Sequence, residues 1–229
     1  ISLAESGYRV AIIDQNINAA DNVACTIRAA GFFASAFQCD LTHYGSIGQV
    51  LHEVVGSLGS PWLLVNNVGG DSPKPFLQTT PDDWEFLINL NLKCAFNITH
   101  QTLPLMIAAG GGRVVNISSD SARVGIPGVS VYASCKGGII AFSKCLAREM
   151  APHDILVNTV CPGVTETPAL KAVMEDGGSA WVNRIVDQIP LGRMGVVGDY
   201  GPMVVFLAGE GANYITGQTF SISGGKSMI

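Results

Sequence analysis

The feature that most constrains the fold of this sequence is a regular alternation of short apolar runs with longer segments of helical period. The runs have the length of strands and are apolar throughout, as is typical of parallel strands covered by helices on both faces. The six predicted strands are 9–14, 34–39, 62–66, 113–117, 155–160 and 219–223. The predicted helices lie near 18–28, 43–57, 82–109, 131–151, 169–187 and 199–208. This order predicts an α/β fold built on a doubly wound, Rossmann-like parallel sheet.

The composition favours a single domain over residues 1–229. With 48% hydrophobic and 14% charged residues, the chain can bury a large core and is too apolar to be disordered. The net charge of -5 is not accompanied by a basic stripe, which argues against a nucleic-acid partner. No apolar run approaches the roughly 20 residues needed to cross a bilayer, so no membrane partner is expected.

The cysteines and histidines give no sign of a metal site. The chain contains 6 cysteines without a Cys-x-x-Cys pair, and its 4 histidines lack ligand spacing. We expect reduced, mostly buried thiols and a cytoplasmic protein.

The most specific local pattern is Tyr132-x-x-x-Lys136 at the start of a predicted helix. Residues four apart share a helical face. An ammonium group near a phenol favours the phenolate, so we expect Lys136 to lower the pKa of Tyr132 and make it a general acid or base. The alternative is an ordinary exposed helical pair.

Two further polar residues occupy informative positions. Ser119 directly follows the predicted strand 113–117, where its hydroxyl could orient a carbonyl or alkoxide oxygen. Alternatively it serves a helix cap or turn, a role also open to Ser118 and Ser121. Asn91 lies in an apolar helical stretch, where its amide could hold a proton-relay water or cap a local kink.

Together these residues resemble the short-chain dehydrogenase/reductase family. The matching motifs are Asn66–Gly69, Asn91, Ser119, Tyr132-x-x-x-Lys136 and Pro162–Thr167, in this order along the chain. The resemblance implies that Tyr132 is the general acid/base and that Ser119 orients the substrate. It further implies that Lys136 anchors the cofactor ribose and that Asn91 holds the relay water.

The front of the sequence departs from the family. Relatives carry a first strand and a Thr-Gly-x-x-x-Gly-x-Gly turn that binds the cofactor pyrophosphate at a helix N-terminus. Here Ile1–Gly7 resembles the end of the helix that follows that turn. We therefore expect the parent protein to carry the strand and the turn upstream.

The resemblance also assigns residues to cofactor binding. Asp14 ends the first predicted strand, where a carboxylate accepts hydrogen bonds from the ribose hydroxyls and repels a 2′-phosphate. This predicts NAD as the cofactor, although Asp14 could simply open a turn before Asn16. The other residues assigned to the cofactor by resemblance are Asp40 and Leu41 at the adenine, Asn67 and Gly69, and Pro162, Gly163, Thr165 and Thr167 near the nicotinamide.

Residues 169–198 are predicted to form a substrate lid. Its apolar side chains Leu170, Val173, Met174, Trp181 and Ile185 could contact an apolar substrate, or could belong to the core. Local motifs are most similar to dehydrogenases of cyclic hydroxyacyl thioesters, such as 2-hydroxycyclohexanecarboxyl-CoA, and also to 3-oxoacyl-carrier-protein reductases.

The leading interpretation is therefore an NAD-dependent oxidoreductase that interconverts a secondary alcohol and a ketone. The alternatives are a 3-oxoacyl reductase, a non-catalytic NAD(H)-binding regulator, and a structural subunit. The apolar segments 82–109 and 131–151, by resemblance, predict a homotetramer with D2 symmetry.

Overall fold

In the part of the chain that the structure describes, six strands and nine α-helices are present, and the strands alternate with helices as expected from the sequence. The structure is a computed structural model, and it describes residues 1–167, 170 and 179–229. The strands are β1 (Val10–Asp14), β2 (Ala34–Gln38), β3 (Leu63–Asn66), β4 (Gly112–Ile117), β5 (Ile155–Pro162) and β6 (Thr219–Ile222). The helices are α1 (Ser2–Glu5), α2 (Ile17–Ala29), α3 (Tyr44–Leu58), α4 (Pro81–Ile88), α5 (Cys94–Ala108), α6 (Ser121–Val124), α7 (Ser130–Met150), α8 (Ser179–Val186) and α9 (Gly201–Ala208).

All strand pairings in the described part of the chain are parallel. β1 pairs with β2, and a second sheet has the order β3-β4-β5-β6. Asn66 lies opposite Asn116, and Asn116 lies opposite Thr159, so β3, β4 and β5 end at a common edge. Loops that leave this edge bring residues distant in sequence into one region, which is where open parallel sheets bind ligands.

Helices cover both faces of the strands, as the uniformly apolar runs predict. Two clusters of buried residues lie between the sheet and the long helices, and two smaller ones lie under α2 and α9. Their members are Leu103, Met106, Val114, Leu146, Ala147, Ile155 and Val157; Cys39, Ile47, Val50, Leu51, Val54 and Ile98; Val115, Val160, Val204, Leu207 and Ala212; and Ala4, Ala24, Ile27 and Ala34.

The segment predicted as one helix over 82–109 is interrupted. A π-helical turn, Asn89–Lys93, separates α4 from α5. Asn91 is at its centre, is 1% exposed, and donates from Nδ2 to the Leu87 carbonyl at 3.0 Å. Turns of this kind arise where an extra residue is accommodated in a helix, and they are frequent at functional sites. The kink considered for Asn91 is therefore present.

The predicted lid lies partly outside the described residues. This applies to Val173 and Met174, and to the side chain of Trp181. Of the helix expected over 169–187, the structure describes the portion Ser179–Val186. Among the described residues, no helix is long and apolar enough to cross a membrane.

Candidate active site

The candidate catalytic residues meet at the edge where β3 and β4 end. Ser119 follows β4, Tyr132 and Lys136 lie in the first two turns of α7, and Asn91 lies in the π-helical turn. Gly69 and Gly70, in the loop that follows β3, lie in the same region. A Cβ atom built on Gly69 would lie 2.7 Å from Asn91 Oδ1 and 2.9 Å from Lys136 Nζ. The backbone at residue 69 therefore passes between these two side chains at a distance that requires glycine.

Ser119 takes part in two interactions at once. Its Oγ accepts hydrogen bonds from the Ser121 backbone N–H at 3.2 Å and from Ser121 Oγ at 2.9 Å. The same hydroxyl lies close enough to Tyr132 to lower the pKa of the phenol. Ser119 therefore does stabilise the turn, as the alternative interpretation proposed. The bonds from Ser121 orient the hydroxyl that lies near Tyr132. Ser118 is used differently, since its buried hydroxyl donates to the Lys136 carbonyl at 2.8 Å.

The Tyr132 phenol has a pKa above its ordinary value, which corrects the expected direction. Burial of the side chain is the main cause, and the nearby Ser119 hydroxyl partly offsets it. The ammonium of Lys136 lies over the Tyr132 ring, 5.7 Å from its centroid, and is not among the causes of this shift. The ammonium instead donates to the Ile117 carbonyl at 3.0 Å.

Lys136 is itself strongly affected by its surroundings. The residue is 3% exposed, and burial lowers the pKa of its ammonium group to about 8. A lysine that titrates near neutral pH can give up or take a proton at a modest free-energy cost. Lys136 is therefore buried, unlike the exposed helical partner that was the alternative.

Asn91 is fully held by the backbone around it. Its Nδ2 donates to the carbonyls of Gly70, at 2.8 Å, and Leu87, while its Oδ1 accepts from the Gly70 N–H at 3.0 Å. The side chain therefore fixes the β3 loop beside Lys136.

A buried polar chain under the site was missed at the sequence level. Asn66 donates to Asn116 Oδ1 at 2.7 Å and to Thr99 Oγ1 at 2.8 Å, and Asn116 donates to Ser143 Oγ at 2.8 Å. Such groups are stable in a core only when satisfied. The sequence did contain a signal for this chain of hydrogen bonds, because Asn66 and Asn116 are polar residues near the ends of apolar strands.

The residues assigned to the adenosine half of the cofactor lie apart, at the β1–β2 edge. Asp14 and Gln38 are register partners. Asp14 Oδ1 accepts from the Asn16 N–H at 2.8 Å, so the turn considered as its alternative role does form. Its Oδ2 has no hydrogen-bond partner among the described residues, and a ribose hydroxyl could bind there.

Asp40 and Leu41 are bound within their own loop. Asp40 accepts from the Thr42 backbone and hydroxyl at 2.9 and 2.7 Å and lies 3.0 Å from His43 Nδ1. The bonds from Thr42, followed by His43, hold the pKa of the Asp40 carboxyl below its usual value. The Leu41 carbonyl accepts from Asn97 Nδ2 at 2.9 Å.

The segment Pro162–Thr167 leaves β5 next to β6. Gly163 N–H donates to the Ile222 carbonyl at 2.9 Å, and a Cβ on Gly163 would lie 2.8 Å from Ser223 Cα. Thr165 Oγ1 is 2.6 Å from Tyr200 Oη, a contact with no signal in the sequence. Thr167 Oγ1 accepts from Leu170 N at 3.2 Å. The close-fitting Gly163 and the hydroxyls of Thr165 and Thr167 are compatible with a flat nicotinamide ring lying along this segment.

The described residues contain no cluster of His, Cys, Asp or Glu that could hold a metal ion. The side chains of Ser119, Tyr132 and Lys136 can orient a polar substrate and transfer a proton.

Fold and site together define an oxidoreductase of the doubly wound class, and the chain belongs to the short-chain dehydrogenase/reductase family. A family model described as enoyl-(acyl carrier protein) reductase matches residues 1–227. Acetoacetyl-CoA reductase of Shinella zoogloeoides is 36% identical over 229 residues, which cover 100% of this chain and 92% of the relative. The 3-oxoacyl-acyl-carrier-protein reductase FabG of Staphylococcus epidermidis is 34% identical with the same coverage, 100% and 92%.

Solved structures agree with this assignment. A short-chain alcohol dehydrogenase from Sinorhizobium meliloti superposes with a TM-score of 0.92 at 32% identity, covering 98% of this chain and 88% of that one. A gluconate 5-dehydrogenase from Burkholderia cenocepacia, solved with NADP and tartrate, gives 0.92 at 30% identity and covers the same shares, 98% and 88%. Members of this family act on CH–OH groups with a nicotinamide cofactor, and the predicted fold class and enzyme class are confirmed.

Proposed function

We propose that this protein is an NAD-dependent oxidoreductase that acts on an acyl thioester. It interconverts the ketone of a 3-oxoacyl thioester, or of a related cyclic thioester, and the secondary alcohol of the corresponding hydroxyacyl thioester. The observation that carries the proposal is the meeting of Ser119, Tyr132 and the buried Lys136 beside Gly69, at the carboxyl end of β4. A buried lysine whose pKa is lowered to about 8 is typical of catalytic sites and supports an enzyme over a structural subunit.

Tyr132 handles the proton in the proposed reaction. When NAD(H) is bound, its nicotinamide supplies or accepts the hydride. The phenol of Tyr132 donates its proton to the ketone oxygen during reduction and takes the hydroxyl proton during oxidation. A raised pKa favours the protonated phenol, which is the form that donates a proton in the reductive direction.

Ser119, Lys136 and Asn91 support that step. The Ser119 hydroxyl, next to Tyr132, can donate to the same substrate oxygen and fix its position. Lys136 lies between Tyr132 and the Gly69 backbone, where it can bind the cofactor ribose and exchange a proton with solvent. Asn91 keeps the loop of Gly69 and Gly70 in place and so keeps a path for a relay water open.

The preference for NAD is supported by the charge at the β1–β2 edge. Asp14 ends β1, where a carboxylate favours a ribose hydroxyl over a 2′-phosphate. Asp40 follows β2 at the same edge, and its lowered pKa keeps a second negative charge there. The described basic residues nearest in sequence are directed elsewhere, since Arg9 donates to the Ser57 carbonyl and Arg28 pairs with Asp21. Two solved relatives carry NADP or NADPH, so the preference for NAD over NADP is the part of the proposal that most needs a direct test.

The substrate class is supported by the relatives and by the lining of the cavity at Tyr132. The named relatives reduce acetoacetyl-CoA or 3-oxoacyl carrier protein. The cavity is lined by Leu87, Val129 and Val131 as well as Asp71 and Lys74. Lys74 is neutralised by Asp83 at 2.7 Å, so the lining offers no unpaired cation for a free carboxylate and favours a neutral acyl group.

A substrate panel tests the proposal. Acetoacetyl-CoA, a 3-oxoacyl carrier protein and 2-oxocyclohexanecarboxyl-CoA would be offered with NADH and with NADPH to the protein including any segment that precedes Ile1. We expect turnover with NADH and a thioester. A cyclic thioester preferred over the linear ones would favour a cyclic hydroxyacyl-CoA dehydrogenase, and a carrier-protein preference the 3-oxoacyl reductase. Binding of NADH without any turnover would favour the regulator instead.

A homotetramer is part of the proposal. Phe86 and Ile107, on α4 and α5, are 58% and 38% exposed, and Phe96 lies on the same helical segment with 37% exposure. Large exposed apolar side chains are typical of interfaces. Light scattering should give four times the monomer mass, and a fully active monomer would contradict this.

The proposal also includes a cytoplasmic location. The six cysteines are all unpaired, which fits the reducing conditions of the cytoplasm.

A further inference from the structure

Asp120, the residue after Ser119, is a buried carboxylate that the proposed reaction does not use. It is 3% exposed. Its Oδ1 accepts from Ser221 Oγ at 2.6 Å, and its Oδ2 accepts from Ser227 Oγ at 2.6 Å. Both serines belong to the C-terminal segment, defined here as residues 221–229. This segment is therefore bonded directly to the loop that carries Ser119.

Arg123 reinforces the same connection. Its Nη1 donates to Ser221 Oγ at 2.8 Å, and its Nη2 donates to the Ile229 carbonyl. A buried carboxylate is costly unless it is hydrogen bonded and a cation lies close by. Ser221 links the carboxylate to the guanidinium, so the three groups form one network that would be disturbed by the loss of any member.

The loop of Ser119 is held on its other sides by the core. The Ser118 N–H donates to the Val160 carbonyl at 2.8 Å, and the Asp120 N–H donates to the Pro162 carbonyl at 3.0 Å. Ser118 Oγ binds the carbonyl of Lys136. These bonds fix the backbone on the β5 and α7 sides. The remaining side, away from β5 and α7, is held by the Asp120 carboxylate and the C-terminal segment.

We propose that Asp120 is a positioning residue for Ser119 and that it acts through its hydrogen bonds to Ser221 and Ser227. This inference rests on the proposed function, because it assumes that Ser119 orients the substrate. A displacement of a catalytic group by about 1 Å can cost a hundredfold in rate. The C-terminal segment thereby becomes part of the catalytic apparatus although none of the candidate catalytic residues lies in it.

The kinetic test compares Ser227→Ala, Asp120→Ala and Ser119→Ala. We expect Ser227→Ala to lower kcat about tenfold, as for one hydrogen bond to a charged group, with the NADH dissociation constant changed less than about twofold. Asp120→Ala should have a larger effect. In the Ser119→Ala background, either substitution should lower kcat by less than about twofold further, because the group being positioned is already gone.

The control is Thr102→Val, which removes a hydroxyl that is 1% exposed in α5 and donates to the Ile98 carbonyl at 2.8 Å. It should lower stability without changing kcat. If Ser227→Ala behaves like this control, or if Asp120→Ala loses its full factor again in the Ser119→Ala background, the proposal is overturned. If Ser119→Ala itself retains full activity, the proposed function fails at Ser119 instead.

If the Asp120→Ala variant fails to fold, the proposal can still be tested by a measurement that does not depend on activity. Hydrogen exchange of the peptide over 118–124 should be faster in Ser227→Ala and Ser221→Ala than in the unmodified protein and in Thr102→Val. Unchanged exchange in both serine variants would show that the C-terminal segment does not hold this loop, and would refute the proposal whatever the enzyme's substrate.

Discussion

The catalytic region and the cofactor edge at β1–β2 are built in opposite ways. Around Tyr132 the polar side chains are largely buried and bonded to backbone groups from distant elements, as with Lys136 to Ile117. At the β1–β2 edge, Asp14 and Asp40 are bonded to residues two or three positions away in their own loops.

This difference separates what the fold fixes from what a few substitutions can change. The catalytic arrangement depends on several elements meeting, so a change there affects the reaction itself. A side chain bonded only within its own turn can be replaced without moving the sheet. The cofactor edge should therefore control which nicotinamide cofactor is used, and the catalytic region should control whether there is a reaction.

The largest effect is expected from Tyr132→Phe. The change removes one hydroxyl and leaves the ring under Lys136, so folding and NADH binding should persist while kcat falls by about 10²- to 10⁴-fold. Steady-state kinetics and NADH fluorescence measure the two properties. Tyr214→Phe, at a fully exposed ring, is the matched control. Turnover close to that of the unmodified protein would remove Tyr132 from the mechanism.

The second prediction uses neighbouring glycines. Gly69→Ala places a methyl group 2.7 Å from Asn91 Oδ1 and 2.9 Å from Lys136 Nζ, and should lower kcat by about a hundredfold by displacing both. Gly70→Ala meets only Leu90 Cδ2 at 3.4 Å and should be much milder. Equal effects of the two changes in kinetic assays would mean that the close approach at residue 69 does not matter.

The strands and most long helices could be predicted from the sequence because their periodicity is a local property, and so could the place of Ser119 after a strand. The direction of the Tyr132 pKa could not be predicted, since it depends on how deeply the side chain is buried. The π-helical turn was not predicted either. Its residue Asn91 is hydrogen bonded to Gly70, 21 residues away, and local periodicity does not reveal such a contact.

The same limit applies to Asp120 and Thr165. Nothing in the sequence around Ser119 indicates that a carboxylate there meets Ser227, because that contact spans 107 residues. The pairing of Thr165 with Tyr200 likewise depends on tertiary packing. Asp14, by contrast, was interpretable from its position at the end of β1, as expected for a residue whose contacts are local.

The third prediction concerns that cofactor edge. Asp14→Ala removes both the ribose acceptor and the charge that repels a phosphate, so the ratio of kcat/KM for NADPH to that for NADH should rise by about tenfold or more. Thermal stability should change little because Asp14 is bonded only to Asn16. Asp21→Ala, in the adjacent helix, is the charge-matched control. An unmodified enzyme that already prefers NADPH would contradict the assignment.

The smallest effect is expected on stability, through the buried Lys136. Burial lowers its pKa from 10.5 to about 8, whereas in the unfolded chain the group keeps its ordinary value. Between pH 8 and 10.5 the unfolded state therefore binds more protons than the folded state, and this group makes the free energy of unfolding rise with pH. Below pH 8 both states carry the charge, and the cost of burying it is present in full.

Lys136→Met removes that contribution while keeping the length of the side chain. Urea unfolding at pH 7.5 and 9.5 should show that the free energy of unfolding of the unmodified protein, relative to Lys136→Met, increases by at most about 1.4 kcal/mol per pH unit. The buried thiol of Cys94 acts in the opposite direction, because burial raises its pKa to about 11, but this thiol is common to both proteins and its effect cancels in the difference. Lys144→Met, on the same helix, should show no such pH dependence. Parallel pH profiles for the unmodified protein and Lys136→Met would mean that the ammonium is solvated in the folded state, and the contrast between a buried catalytic region and a locally bonded cofactor edge would then fail at its central residue.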